Sequence, residues 1–335
     1  MSKNTNPTDS NGSLEINNAT LKKVYSQNWS LYNLSQTKEK MMFLKLLNDA
    51  VDFLGIEYEY EFGRPHVPID DLIKCCAIKV FNCFSSRRTI AELQLAYALG
   101  YIRQSYHFNT ISKYMNDPTI TPWLEKLYKL LALSLVDTES VFAVDATGFG
   151  LPHKIRWKEI RMKKLYREVH DFKKLHIISG VRTNIITSAK VTNGTRSDNP
   201  EFENLVRATS KQFRMKEILA DAGYLSRKNC GISEEVGAVP YIFPKAGVRP
   251  RSHGYRAWTR MIRLWKENKQ AFREHYHQRS NVESTFSALK RKFSGFVRSK
   301  KDTAQTNEIL AKVVCHNVAV LISSIFCLGV EVDFD

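Results

Sequence analysis

Two short apolar runs, each closed by an aspartate, constrain what this chain can fold into more than any other feature. Val141-Phe142-Ala143-Val144 leads into Asp145, and the run over 217–220 leads into Asp221. Short apolar runs bounded by Gly-containing turns read as buried strands. Leu175–Val181 and Ile185–Val191, joined by a Thr-Asn turn, read the same way, as does Val239–Phe243. Helical patterns fall between them, from Pro200 to about Phe213 and over Ser226–Glu235, and three more follow at about 257–275, 280–293 and 306–328. The order strand, strand, strand, helix, strand, helix, strand, then helices predicts a mixed α/β sheet with helices packed on it. Ligands bind such sheets beyond the C-terminal ends of the strands, the position expected of Asp145 and Asp221. Taken singly, each aspartate is also ordinary turn chemistry, in Asp-x-x-Gly and Asp-x-Gly.

Upstream the periodicity is helical throughout. Residues 1–35 are rich in Asn, Ser and Thr and are expected to form a mobile tail with a short helix near Leu21–Tyr25. Lys38–Leu54 has helical spacing, and Gly63, Pro65 and Pro68 break the chain after it. Helices are then expected over Asp70–Phe84, Arg87–Leu99, Phe108–Met115 and from Pro122 to Leu135, with Gly100 and Asn116-Asp117-Pro118 as stops. Residues 36–135 thus form an expected helical domain, and 136–330 the sheet domain. Two helices, a Gly-containing turn and a short polar-faced helix fit a helix-turn-helix. Asn109, Thr110, Ser112 and Lys113 would be its DNA contacts. An all-helical packing domain fits the same pattern.

Charge narrows the partner. The chain carries a formal net charge of +16, and residues 244–301 alone hold 16 Lys or Arg against Glu267, Glu274 and Glu283. A second basic stretch, 153–174, holds nine bases and three acids. Basic fields this concentrated favour a polyanion, most simply nucleic acid. The six cysteines (Cys75, Cys76, Cys83, Cys230, Cys315 and Cys327) have no C-x-x-C spacing, so they read as reduced thiols of a cytoplasmic, nucleoid-associated protein rather than a zinc site. The most apolar segment, Val318–Val330, is too short to span a membrane and reads as a core helix.

Within the basic field, Tyr276, Arg279, Glu283 and Lys290 are spaced for one helix face. At roughly 100° per residue they fall at about 0°, 300°, 340° and 320°. Val282, Phe286, Leu289 and Phe293 make an apolar stripe beside them. A helix starting at Ser280 is the competing reading, with Ser280-x-x-Glu283 as a capping box; only Glu283 and Lys290 then stay aligned. Gathered together, Asp145, Asp221 and Glu283 would repel one another unless a cation sat among them. Mg²⁺, a hard ion that takes oxygen ligands, is the natural occupant, with Mn²⁺ as its substitute. Two such ions about 4 Å apart would serve phosphodiester displacement, with Arg279 and Lys290 on the flanking phosphates.

The spacing Tyr276-x2-Arg279-x3-Glu283-x6-Lys290 resembles the signature of a large group of insertion-sequence DDE transposases. VFAVDATGFG (141–150) and ILADAGYL (218–225) resemble the blocks holding the family's first two acids. VTNGTRSDNPEF (191–202), YIFPK (241–245) and AKVVCHNVAVLI (311–322) are similar to it as well. The resemblance covers about residues 135–325, and 69–135 more loosely. It implies a ribonuclease-H-like fold in which Asp145, Asp221 and Glu283 bind the metals. It also implies binding of terminal inverted repeats, hydrolysis at the element ends and attack of the freed 3′-hydroxyl on target DNA, by a homodimer on DNA. Tyr276, Arg279 and Lys290 carry over as DNA-end contacts, and Lys245 as a further basic contact. Some members insert a strand-rich subdomain before the glutamate; the 61 residues between Asp221 and Glu283 leave no room for one, which puts a hairpin route to second-strand cleavage in doubt. A catalytically inactive transposase-derived DNA-binding protein and a metal-dependent nuclease of another fold are the competing functions.

Overall fold

The computed structural model describes residues 28–57, 62, 66–151, 172–251 and 253–334. The expected short helix at Leu21–Tyr25 and most of the 153–174 basic stretch lie outside them. The first helix, α1 (Trp29–Phe53), starts well before Lys38 and inside the segment expected as tail, because Asn28 caps it by accepting the Leu31 N–H at 3.2 Å. Helices α2 (Ile69–Phe81), α3 (Ile90–Ala98), α4 (Phe108–Tyr114) and α5 (Thr121–Leu133) follow. The link from α3 to α4 runs over residues 99–107, longer than the roughly three- to four-residue turn of a helix-turn-helix. On α4, Ile111 is buried while Asn109, Ser112 and Lys113 are exposed.

The sheet has five strands: β1 (Val141–Gly150), β2 (Phe172–Gly180), β3 (Ile186–Asn193), β4 (Glu217–Ala220) and β5 (Val239–Ile242), in the order β3-β2-β1-β4-β5. The pairs β3–β2 and β2–β1 are antiparallel, while β1–β4 and β4–β5 are parallel. Helices α6 (Glu201–Ser210) and α7 (Arg227–Glu235) connect the later strands, and α8 (Arg256–Glu267), α9 (Lys269–Tyr276), α10 (Ser280–Phe293) and α11 (Asp302–Leu328) complete the chain.

Strand β1 outruns the apolar run that announces it. Past Asp145 it stays paired with β2 as far as Gly150↔Phe172, and Gly150 then exchanges backbone bonds with Gly295 and Val297 at 3.1 and 2.9 Å. That contact ties the end of β1 to the chain leaving α10. At one edge of the sheet, β3 pairs with β2 alone among the described residues. Asn317 of α11 takes the Ile186 N–H and donates to the Ile186 carbonyl (3.0 and 2.8 Å), and the Tyr128 hydroxyl of α5 accepts the Ala189 N–H at 3.1 Å. Side chains thus satisfy an edge that would otherwise present free backbone groups.

Helix α11 packs on α1, α2 and α5 as well as on β3, so the N-terminal helices and the sheet share one apolar core. Its length and composition would also allow it to cross a membrane, but 72% of its most apolar window is buried inside the protein, as in a core helix. Among the described residues the cysteines are all free: Cys75, Cys76, Cys230 and Cys315 are buried, and Cys83 and Cys327 half-buried.

Candidate active site

The parallel register of β1 and β4 ends at Val144↔Ala220, so Asp145 and Asp221 occupy the next position on neighbouring strands. They then diverge. Asp145 continues along β1, half-buried, its Oδ1 accepting the Ala146 N–H at 2.8 Å. Asp221 ends β4 and caps a 3₁₀ turn (Ala222–Tyr224) by accepting the Gly223 N–H at 2.9 Å. The turn chemistry read from Asp-x-Gly is therefore real, and it places the carboxylate beside Asp145 rather than away from it.

Glu283 arrives from a third element. The chain from α8 to α10 is broken at Asn268, whose side chain caps α9, and again by a 3₁₀ turn at His277–Arg279. Tyr276 and Arg279 therefore precede α10, as in the competing reading of this stretch, and the four residues do not lie on one continuous helix. The capping box itself does not form. The Ser280 hydroxyl donates to the His277 carbonyl, and Glu283 accepts from Arg279 instead. Val282, Leu289 and Phe293 are essentially inaccessible and Phe286 nearly so, which seats α10 in the core and leaves Glu283 exposed. Two residues to either side of it, Asn281 donates to the Val181 carbonyl and Thr285 to Asn184 Oδ1, fixing α10 on the β2–β3 turn.

Arg279 joins the acids. Its Nη2 donates to Asp145 Oδ2 at 3.0 Å and its Nη1 to Glu283 Oε1 at 2.8 Å, while its buried Nε has no acceptor among the described residues. Burial pushes the Asp145 carboxyl above its ordinary pKa; the Arg279 guanidinium and the Ala146 N–H pull it down, and Asp221 and Glu283 push it up. Asp145 thus senses both of the other carboxylates, although the three come from three elements. Two of them converge on a single cationic group, and an all-oxygen donor set suits a hard divalent ion. As they stand, with the guanidinium between two of them, no three His, Cys, Asp or Glu side chains among the described residues gather closely enough to hold a metal.

The other expected contacts are distributed unevenly. The Tyr276 ring packs on Phe243 and Phe272, its phenol raised by burial and by the nearby acids. Lys290 lies two turns beyond Glu283 with its ammonium 5.6 Å from the Phe149 ring, its pKa lowered by burial. Lys245 is exposed in the loop after β5, without an ion pair to the acids, and Asn109 and Lys113 lie on α4. His275 is a structural pin, its Nδ1 paired with Glu217 at 2.9 Å and its ring stacked on Tyr241. Sequence reasoning missed Tyr224, which is buried, with a hydroxyl that has no partner among the described residues and a phenol pKa raised by burial and by Asp198, Asp145 and Asp221. Its only signal was its place three residues after Asp221. The bridging role of Arg279 was missed as well, since its partner Asp145 lies 134 residues away.

Residues 137–318 match the family model described as "Transposase DDE domain". The chain is also 27% identical over 235 residues, 70% of this chain and 69% of the relative, to a probable transposase for insertion sequence element ISA1214 from Archaeoglobus fulgidus. No solved structure matches it. The matched span covers β1, β4 and α10, the three elements that carry Asp145, Asp221 and Glu283, and by that match the chain belongs to the transposase DDE domain family.

Proposed function

We propose that this chain is an active transposase that cleaves DNA at the ends of its own insertion element and joins the freed ends to target DNA. The observation that carries the reading is the adjacent register of Asp145 and Asp221 on two parallel strands, with Glu283 tied to the first of them through Arg279. The mixed five-stranded sheet supports a ribonuclease-H-like reading of the domain. Asp145, Asp221 and Glu283 would hold divalent metal, Mg²⁺ or in its place Mn²⁺. Two such ions supply Lewis acidity at the scissile phosphate and an activated attacking oxygen.

The remaining work falls to the chain's own residues. Asp145 is set by a backbone N–H and half-buried, so its orientation is fixed before DNA arrives. Arg279 is bonded to two of the acids and Tyr276 lies near them, while Lys290 stands two turns further along α10; one phenol and two cations suit phosphate oxygens. Lys290 has no ion pair among the described residues and is free to take a phosphate, whereas Arg279 must leave its carboxylates to do so. Two DNA ends require two such sites, so the working form is a homodimer on DNA, acting in the cytoplasm at the nucleoid.

The test uses labelled duplexes built from inverted repeats found in the DNA flanking this gene, incubated with protein with and without Mg²⁺. Metal-dependent cleavage at the repeat tip, lost in Asp145→Asn and Glu283→Gln proteins of unchanged melting temperature, is the expected result. Binding without cleavage by the wild type would reject the proposal in favour of a DNA-binding protein only.

A further inference from the structure

A cleft of about 550 Å³ lies between α4 and the loop that joins α10 to α11. Four chain segments line it: the C-terminal end of α2, the turn at Ser85 and Ser86, α4 with Met115 and Asn116, and Arg298–Lys301. Five cations border it, Lys79, Lys113, Arg298, Lys300 and Lys301, and no carboxylate is among the lining residues. None of the five forms an ion pair with a described residue. Lys79 is 8% exposed, so most of its side chain is buried where it borders the cleft.

The walls of this cleft are held in place. Glu308, itself 4% exposed, accepts the N–H groups of Arg298 and Ser299 at 2.9 Å each and the Ser299 hydroxyl at 2.7 Å. Gln305 donates to the carbonyls of Ser299 and Lys300. The buried acid beneath the loop therefore serves its backbone and forms no ion pair with the three loop cations. On the opposite wall, Ser112 of α4 is bonded to Ser86 at 3.0 Å, and Asn307 of α11 donates to the Met115 and Asp117 carbonyls at 3.0 Å each. Both walls are thus anchored on the first turns of α11. Five cations around one cleft, with the single buried carboxylate of Glu308 behind them, concentrate positive potential, and their spread over several segments suits a run of phosphates rather than a single ion.

We propose that this cleft is a binding site for the phosphodiester backbone of duplex DNA, with Lys79, Lys113, Arg298, Lys300 and Lys301 as its phosphate contacts. It rests on the reading of the protein as acting on DNA. It extends that reading to a surface distinct from the acids, in which the N-terminal helices and the segment following the Glu283 helix grip one DNA segment together.

The test is the salt dependence of binding to a fluorescein-labelled 30-base-pair duplex of mixed sequence, followed by anisotropy. A protein with the three exposed cations replaced (Lys113→Gln, Lys300→Gln, Lys301→Gln) is compared with one losing equal charge elsewhere (Lys45→Gln, Lys211→Gln, Arg214→Gln). Each lost phosphate contact lowers the slope of log affinity against log salt by about 0.9, so the first variant should lose about 2.7 and the second almost nothing. Equal losses in both variants, an unchanged slope in the first, or a wild type that does not bind the duplex would overturn the site. The proposed chemistry fails separately: a wild type that does not cleave repeat ends but shows the selective slope change retains this surface and loses the catalytic reading.

Discussion

The Arg279 guanidinium lies between Asp145 and Glu283, two of the three proposed metal ligands, and its removal has a calculable effect. Arg279 makes two charge-assisted hydrogen bonds, at 3.0 Å to Asp145 and 2.8 Å to Glu283. The Asp145 side chain is 17% exposed and that of Arg279 16%, so this contact belongs with bonds to charged groups, worth about 1.5 kcal/mol at the low end. Glu283 is 64% exposed, and its contact belongs with surface pairs, at about 0.5 kcal/mol. An ion drawing on both carboxylates must overcome about 2 kcal/mol to displace the guanidinium, which is about 30-fold in affinity. Arg279→Gln removes that competitor and one positive charge, and both changes favour a cation. At pH 8 without DNA, Mn²⁺ titrated against the wild type, followed by the paramagnetic resonance of free Mn²⁺, should bind about 30-fold more weakly than against Arg279→Gln. Asp145→Asn should abolish the gain in the Arg279→Gln background, which places the ion at these acids. Affinities within threefold of each other, or weaker binding in a folded Arg279→Gln protein, would refute the reasoning and make Arg279 an organiser of the metal site instead of its rival.

Two further outcomes follow from buried groups that hold the frame. Lys312 is 2% exposed, donates to the Ser294 and Phe296 carbonyls, and is pushed by burial from 10.5 down to about 8, with Glu308 and the Cys83 and Cys315 thiols opposing the shift and Arg298 adding to it. Its folded pKa lies below the unfolded one, so between pH 8 and 10.5 the unfolded chain binds more protons and this group makes stability rise with pH, by up to about 3 kcal/mol. The buried thiols of Cys75, Cys76, Cys230 and Cys315, raised by burial, act in the opposite sense. The reading is therefore the gap between wild type and Lys312→Met in urea melts at pH 7.5 and 10.5, and a gap that does not change with pH would sink it. Asn317→Ala strips the β3 edge of both its bonds at Ile186 and should cost about 2–4 kcal/mol. Hydrogen exchange at the Ile186 amide should accelerate with it, and retained protection there would show the edge is sealed by packing alone.

The elements that carry Asp145, Asp221 and Glu283 were legible because each is announced locally. Apolar runs of strand length mark β1 and β4, and the observed β4 has the expected bounds. The buried stripe on α10 likewise follows from spacing alone, and α10 has the expected bounds too. What was not legible depends on partners distant in sequence. Ala-Thr-Gly-Phe-Gly at the end of β1 carries no strand signal; it is extended because β2 pairs with it and because Gly295 and Val297 close on Gly150. Helix α11 begins at Asp302, before its apolar stretch, since Gln305, Asn307 and Glu308 are buried polar groups whose acceptors and donors belong to loops elsewhere. The early start of α1 was the avoidable error, because Asn28 ahead of a long helix former stretch is an N-cap signal.

These buried polar groups explain why the acids and the cationic cleft form a single frame. Within one helix, Asn307 holds the end of α4, Glu308 holds the cationic loop, Lys312 holds the turn out of α10, and Asn317 holds the sheet edge. His316, from the same helix, takes the Asn184 carbonyl in the turn that Thr285 of α10 also grips. Every one of these is a hydrogen bond from a side chain that is 4% exposed or less, so each is costly to break. The segment after Glu283 is therefore fixed at both ends, by Lys312 where it leaves α10 and by Glu308 where it enters the cleft. A DNA backbone seated on Arg298–Lys301 would thus be registered against Glu283 through a chain of buried hydrogen bonds rather than through a flexible linker. In such an arrangement Arg279, bonded to two carboxylates and with an Nε that has no acceptor among the described residues, would have to exchange partners if DNA and metal bind as proposed.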